Sequence, residues 1–156
     1  MTHEEYVTLE TARMLRRAGF DWDVCSFYQE GMTASGRELD GTVLHAEAVI
    51  TARDWNAHRN PYDAREYYSA PTLAVAHRWL WQVKHLLAEP VLDAYMDNRK
   101  REHFACRIWS SPQFSPYTMR DDENGGILFF KTYEAALDAG LQACLKMILR
   151  VKNNPR

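Results

Sequence analysis

No uninterrupted apolar run in this chain exceeds four residues, whereas a membrane-spanning helix needs about 20. A surplus of one charge sign is missing as well. The 19 lysines and arginines against 21 aspartates and glutamates leave a net charge of −2, too little to create a field that recruits nucleic acid or an anionic membrane. Cysteine is sparse: Cys25, Cys106 and Cys144 are odd in number, far apart and in no CxxC arrangement. That argues against a disulfide framework and for reduced thiols in the cytosol. MTHEEYVTLE, the first stretch, is acidic and lacks the basic-then-apolar layout of a signal peptide, so the expected localisation is cytoplasmic. Cofactor motifs are wanting too. Gly125-Gly126 sits in no P-loop pattern, and Asp121, Asp122 and Glu123 lack the alternate spacing of a calcium loop. The sequence therefore implies no cofactor and no metal.

What is present is an ordinary globular composition: 156 residues, 46% hydrophobic and 26% charged, with a mean hydropathy of −0.49. One domain over 1–156 is expected, long enough to bury a core without staples. The pattern of elements predicts an α+β fold, with about three helices packed on one face of a small, mainly antiparallel sheet.

The clearest helical stretch is YSAPTLAVAHRWLWQVKHLL, residues 68–87. Ser69 is placed as its N-cap and Pro71 in its first turn. Leu73, Ala76, Leu80, Val83 and Leu87 make a buried stripe flanked by Trp79, and Pro90 ends the element. His77, Trp81 and His85 line another face. The two histidines would lie about 12 Å apart along the axis, too far to share a metal ion.

Towards the start, Thr8 caps a short helix whose inner face is Leu9, Ala12, Leu15 and Ala18. Gly19 takes the left-handed stop position, and Phe20 folds back on Leu15. Arg13, Arg16 and Arg17 point away from that core, as a solvated face. Residues 24–30 read as a strand and 31–41 as a flexible loop. Residues 42–51 carry both strand and helix character, with strand preferred. His45-x-Glu47 could supply two metal ligands, but no third is visible. Residues 53–67 form a long loop holding Asp54, His58, Asp63, Arg65 and Glu66, which would be the site of any catalysis, with His58 as the base. Trp55 and Tyr62 would pack this loop over the core.

A hairpin is expected from residues 91–97 and 103–109. Setting Met96 opposite Phe104, Ala94 opposite Cys106 and Leu92 opposite Ile108 gives one apolar face. The same register sets Asp97 opposite His103, Asp93 opposite Arg107 and Val91 opposite Trp109. Its outer side would then present Tyr95, Arg107 and Trp109 beside the turn arginines Arg99 and Arg101. Rigid aromatics with cations are ingredients of a binding surface. Residues 127–130 read as a short central strand. Thr132 caps a last helix with Tyr133, Leu137, Gly140, Leu141, Cys144 and Ile148 inside. Lys146, Arg150, Lys152 and Arg156, with no acid among them, suit its C-terminus by the helix dipole and leave a modest basic tail.

ETARMLRRAGFDW, YSAPTLAVAHRWLWQVKHL and YEAALDAGLQACLKMI together resemble small proteins of Bacteroides-type bacteria, some encoded in phage-like or mobile regions. The resemblance covers the three helical stretches and not residues 31–67. It implies a compact bacterial cytoplasmic domain and carries no activity with it. The function expected from the residues is that of a non-enzymatic binding or accessory domain, meeting a protein partner or a second copy of itself. Single-stranded nucleic-acid binding through the outer hairpin face, or catalysis on residues 54–66, are the alternatives. No membrane contact is expected.

Overall fold

The computed structural model describes residues 5–32, 38–45, 51–59, 61–62, 65–92, 104–110 and 116–153. The protein is α+β, and its strands form two three-stranded antiparallel sheets. The chain divides into two compact units, Met1–Thr72 and Leu73–Arg156. No helix among the described residues is long and apolar enough to cross a membrane.

In the first unit, helix α1 (Leu9–Ala18) begins and ends as its sequence dictates. The Thr11 amide donates to the Thr8 hydroxyl at 3.3 Å, satisfying one of the orphan donors of a first turn. Gly19 sits at φ 95°, where a Cβ would be strained. Its amide reaches the Arg16 carbonyl at 3.2 Å and the Phe20 amide reaches that of Leu15 at 2.9 Å, the paired bonds of a Schellman ending. Phe20 is buried as expected, and Thr11 and Met14 join Ala12, Leu15 and Ala18 inside. Leu9 is only half-buried.

Helix α1 packs against β3 (Tyr67–Ser69), which lies beside β1 (Phe27–Met32), with β2 (Glu38–His45) on the other edge. One expectation changes here. Much of the stretch expected as a flexible loop is strand, with Met32 paired to Glu38. Pairing with a neighbour overrides the weak strand propensity of its glycines, and the register shift between Glu30 and Met32 falls at Gly31, where a bulge is tolerated. Residues 42–45 are strand, as preferred; residues 46–50 lie outside those described.

Ser69 does not cap a helix. It ends β3, and the next residues continue in extended pairing: the Ala70 amide donates to the Ser26 carbonyl at 3.0 Å and the Val7 amide to the Pro71 carbonyl at 3.0 Å. The Ser69 amide itself donates to Asn56 Oδ1 at 2.9 Å.

The second unit opens on α2 (Leu73–Trp79), which widens into a π-helical turn, Leu80–Lys84. His85 closes that turn at φ 58°, its amide donating to the Leu80 carbonyl. A non-glycine residue in the left-handed region is uncommon, with histidine among the more tolerant types. The helix thus stops before Leu87, and Val83, expected inside, is 45% exposed.

Strand β4 (Leu86–Leu92) follows at once and pairs with β5 (Phe104–Ser110). The hairpin register is corrected by four residues. Cys106 faces Pro90 rather than Ala94, Ile108 faces Ala88, Arg107 faces Glu89, Trp109 faces Leu87 and Phe104 faces Leu92. An even slip preserves the faces, because strand side chains alternate with a period of two. Cys106 and Ile108 are therefore still inside. The slip arises because the strand begins at Leu86, a residue that the helical periodicity had claimed. Pro90 lies within β4 and terminates nothing; β4 is an edge strand, where a missing N–H is tolerated.

On the other side of β5 lies β6 (Tyr117–Thr118). Residues 127–130 form no central strand but two isolated bridges, Arg120 to Ile127 and Phe104 to Phe130. Helix α3 (Tyr133–Asn153) is capped at Thr132, whose hydroxyl accepts from the Ala135 amide at 3.0 Å. It packs on β4, β5 and α2, and Ala136, Leu137, Gly140, Leu141, Cys144 and Leu145 are buried. Gly140 permits that approach: a Cβ there would lie 2.5 Å from Cys106 Sγ and 2.8 Å from Ala88 Cβ. Tyr133 stays 48% exposed, its ring edge-on to Phe104 at 6.2 Å.

Candidate functional site

A concavity lies in the second unit, between α3 and the segment that follows β5. The backbone builds one wall. The Met119 amide donates to the Cys106 carbonyl at 2.9 Å, extending β6, and the Leu128 amide donates to Met119 at 3.0 Å. Between them a tight turn is closed by Asp121, whose amide donates to the Gly126 carbonyl at 2.7 Å and whose carboxylate accepts from the Glu123 amide at 2.7 Å. Gly125 supplies the positive φ, 70°, that the turn requires.

The other wall is a second face of α3: Ala139, Gln142, Ala143, Lys146, Met147 and Arg150. These recur at three- and four-residue steps, beside the buried face and distinct from it. The groove between the walls encloses about 380 Å³, within the size range of ligand sites. Met119, Leu128, Phe130, Ala139, Ala143 and Met147 supply its apolar lining.

Its polar rim has an uneven charge. Arg120, Lys146 and Arg150 line it against a single carboxylate, Asp122. Arg120 donates to the Gly125 carbonyl at 3.0 Å, which fixes its guanidinium at the turn. Among the described residues, neither Lys146 nor Arg150 has a hydrogen-bond or ion-pair partner. Tyr117 reaches across towards α3, with its hydroxyl 3.7 Å from Met147 Sδ. Burial pushes its phenol above the ordinary value, the nearby Cys144 and Cys106 add to this, and the Arg150 guanidinium partly offsets it.

Beneath the groove, burial raises the Cys106 and Cys144 thiols to about 12. They act as small core residues, as the sequence implied, and both are free.

The sites suggested by sequence are distributed otherwise. Arg107 is exposed and half-buried Trp109 shares its face, as expected for that side of the hairpin. Trp109 donates its indole N–H to Glu89 at 3.1 Å, and Arg107 pairs directly opposite the same glutamate. Tyr95, Arg99 and Arg101 lie outside the described residues.

The described part of the 53–67 stretch is held as structure. Asp54 Oδ1 accepts from the Asn56 amide at 3.0 Å and the Ala57 amide at 3.3 Å. Trp55 is buried and donates to the Val24 carbonyl at 2.8 Å. His58 stands edge-on to Trp55 at 5.1 Å and to Tyr67 at 4.9 Å, and no hydrogen bond joins it to Asp54. Tyr62, expected to pack with Trp55, is 97% exposed. Asp63 and Glu47 fall outside the described residues.

Nor is the arginine face of α1 wholly solvated. Arg16 donates to Glu66 at 2.6 Å, and Arg13 and Arg16 lie over the Tyr68 ring at 5.6 and 5.1 Å. The Arg16 hydrogen bond, with that of Tyr68, holds the Glu66 carboxyl below its ordinary range. Among the described residues, no three His, Cys, Asp or Glu side chains converge to hold a metal ion.

The groove itself was not legible beforehand. Lys146 and Arg150 read as complements to a helix dipole, and Arg120 stood in an unpatterned loop. The one available signal was the small-residue face Ala139, Ala143 continuing into Met147, with a cation on each of the last two turns.

No protein-family model, curated protein or solved structure matches the chain.

Proposed function

We propose that the chain is a non-enzymatic binding domain that meets a protein partner through the groove between α3 and residues 117–130. The observation that carries this reading is an apolar lining beside two cations, Lys146 and Arg150, that have no hydrogen-bond or ion-pair partner among the described residues. Desolvated apolar surface supplies affinity, and unpaired rim charges supply orientation and encounter rate. Catalysis is disfavoured by the loop that would perform it: Asp54 is occupied by two backbone amides and His58 is packed between aromatic rings. Nucleic-acid binding on the hairpin's outer face is disfavoured by Glu89, which draws Trp109 to itself and faces Arg107. The resemblance of its three helical stretches to small proteins of Bacteroides-type bacteria, some encoded in phage-like or mobile regions, adds a bacterial cytoplasm as the proposed setting and no activity.

The test is an amide-resolved NMR titration of the full chain with a pool of ten-residue peptides of varied charge and apolar content. Resonances of Leu128, Ala139, Ala143 and Met147 should move together. Filling the groove with Ala143→Trp should abolish those shifts while leaving the rest of the spectrum in place. Shifts confined to other surfaces would refute the reading.

A further inference from the structure

Resting on that reading, we infer that the groove's occupant is an acidic segment of a protein partner that carries an apolar anchor side chain between its carboxylates.

Charge complementarity selects the sign. Lys146 and Arg150 stand one helical turn apart on the lining face of α3, and Arg120 is fixed across from them by its bond to the Gly125 carbonyl. Cations on both walls can each meet a carboxylate of one extended segment, and hydrogen bonds between ionised partners are about twice as strong as neutral ones. Asp122 on the rim and Glu123 beside it in the exposed turn set a limit on this field. A phosphate backbone, charged at every step, would run against that acidic turn. A peptide can place its carboxylates selectively and leave the turn to solvent.

The apolar lining selects the anchor. Met119 and Met147 are flexible and polarisable, and such side chains adapt to varied aliphatic or aromatic groups. Phe130 and Leu128 add apolar lining, while the small side chains of Ala139 and Ala143 leave room above the helix. An all-acidic segment would leave this surface wet. An all-apolar one would leave Lys146 and Arg150 without partners.

The experiment compares four probes on the full chain by NMR titration and fluorescence anisotropy: a ten-residue peptide alternating glutamate and leucine, its glutamine counterpart, its lysine counterpart, and a ten-nucleotide oligothymidylate. The glutamate–leucine peptide should bind at least about tenfold more tightly than the others, equivalent to about 1.4 kcal/mol. Its complex should weaken about tenfold in the double variant Lys146→Gln, Arg150→Gln and recover with Lys146→Arg, Arg150→Lys. Both substitutions lie on exposed positions, and circular dichroism checks the fold. Preferential binding of the glutamine or lysine peptide, or of oligothymidylate, at the same resonances would overturn the acidic assignment and leave the groove as a binding surface. If no probe moves the groove resonances, both readings fall.

Discussion

The two units are made of similar parts, one helix with a three-stranded antiparallel sheet in the first and two helices with another such sheet in the second, but they dispose of their charges and their special residues differently. In Met1–Thr72 the cations of α1 and the following loop have internal partners: Arg16 meets Glu66 and Tyr68, Arg13 lies over Tyr68, and Arg53 lies over Trp55. In Leu73–Arg156, Lys146 and Arg150 have no hydrogen-bond or ion-pair partner among the described residues and line a groove. Glycine differs likewise. Gly19 is required by its backbone angle and has open space around it, whereas Gly140 is required by the atoms it would strike. The lesson is that a paired cation near an aromatic ring is a structural part, and an unpaired one beside apolar surface is a candidate contact.

Thiol reactivity should separate the units most sharply. Cys25 is exposed, while Cys106 and Cys144 are buried with thiols raised from 9.0 to about 12. Burial thus keeps their reactive thiolates far scarcer at neutral pH than those of an ordinary thiol. An aromatic disulfide reagent should therefore titrate Cys25 promptly in the native chain and reach the other two only with denaturant. Rapid modification of all three would break the contrast.

Substituting the two glycines comes next. Gly140→Ala gains about 1 kcal/mol of helix propensity but drives a methyl into Cys106 and Ala88. The net result should be a loss of about 1–3 kcal/mol in urea unfolding. Cys106→Ala should recover part of it. Gly19→Ala should cost about 1–2 kcal/mol through left-handed backbone strain alone, and Cys106→Ala should leave that cost unchanged.

A smaller effect is expected at Glu66, which is half-exposed and therefore screened. Its folded pKa is depressed by Arg16 and then Tyr68. The stabilisation is accordingly present above the ordinary glutamate range and lost as pH falls through the lowered folded value. Glu66→Gln should be less stable than the parent by no more than about 1 kcal/mol at neutral pH, and the two should converge in strong acid. A gap that survives acidification would point to packing as its cause.

The smallest change belongs to the groove. Lys146→Gln and Arg150→Gln should each alter stability by about 0.5 kcal/mol or less. A larger loss in thermal unfolding would mean that these cations are structural, like those of the first unit.

Residue types and spacing by themselves determined the ends of α1, the cap at Thr132, the small-residue contact at Gly140, the interior place of Cys106 and Cys144, and the α+β class. Each depends on backbone donors or side-chain volume within a few residues, or on a single face of one element. What only tertiary structure decided was where helix gives way to strand after Trp79, the four-residue register of β4 on β5, and the groove. Residues 80–87 fit the helical period that claims Val83 and Leu87, and strand takes over from Leu86 where β5 pairs with it. The groove depends on Arg120 and Lys146, 26 positions apart, being brought to facing walls, and no local pattern encodes such a distance.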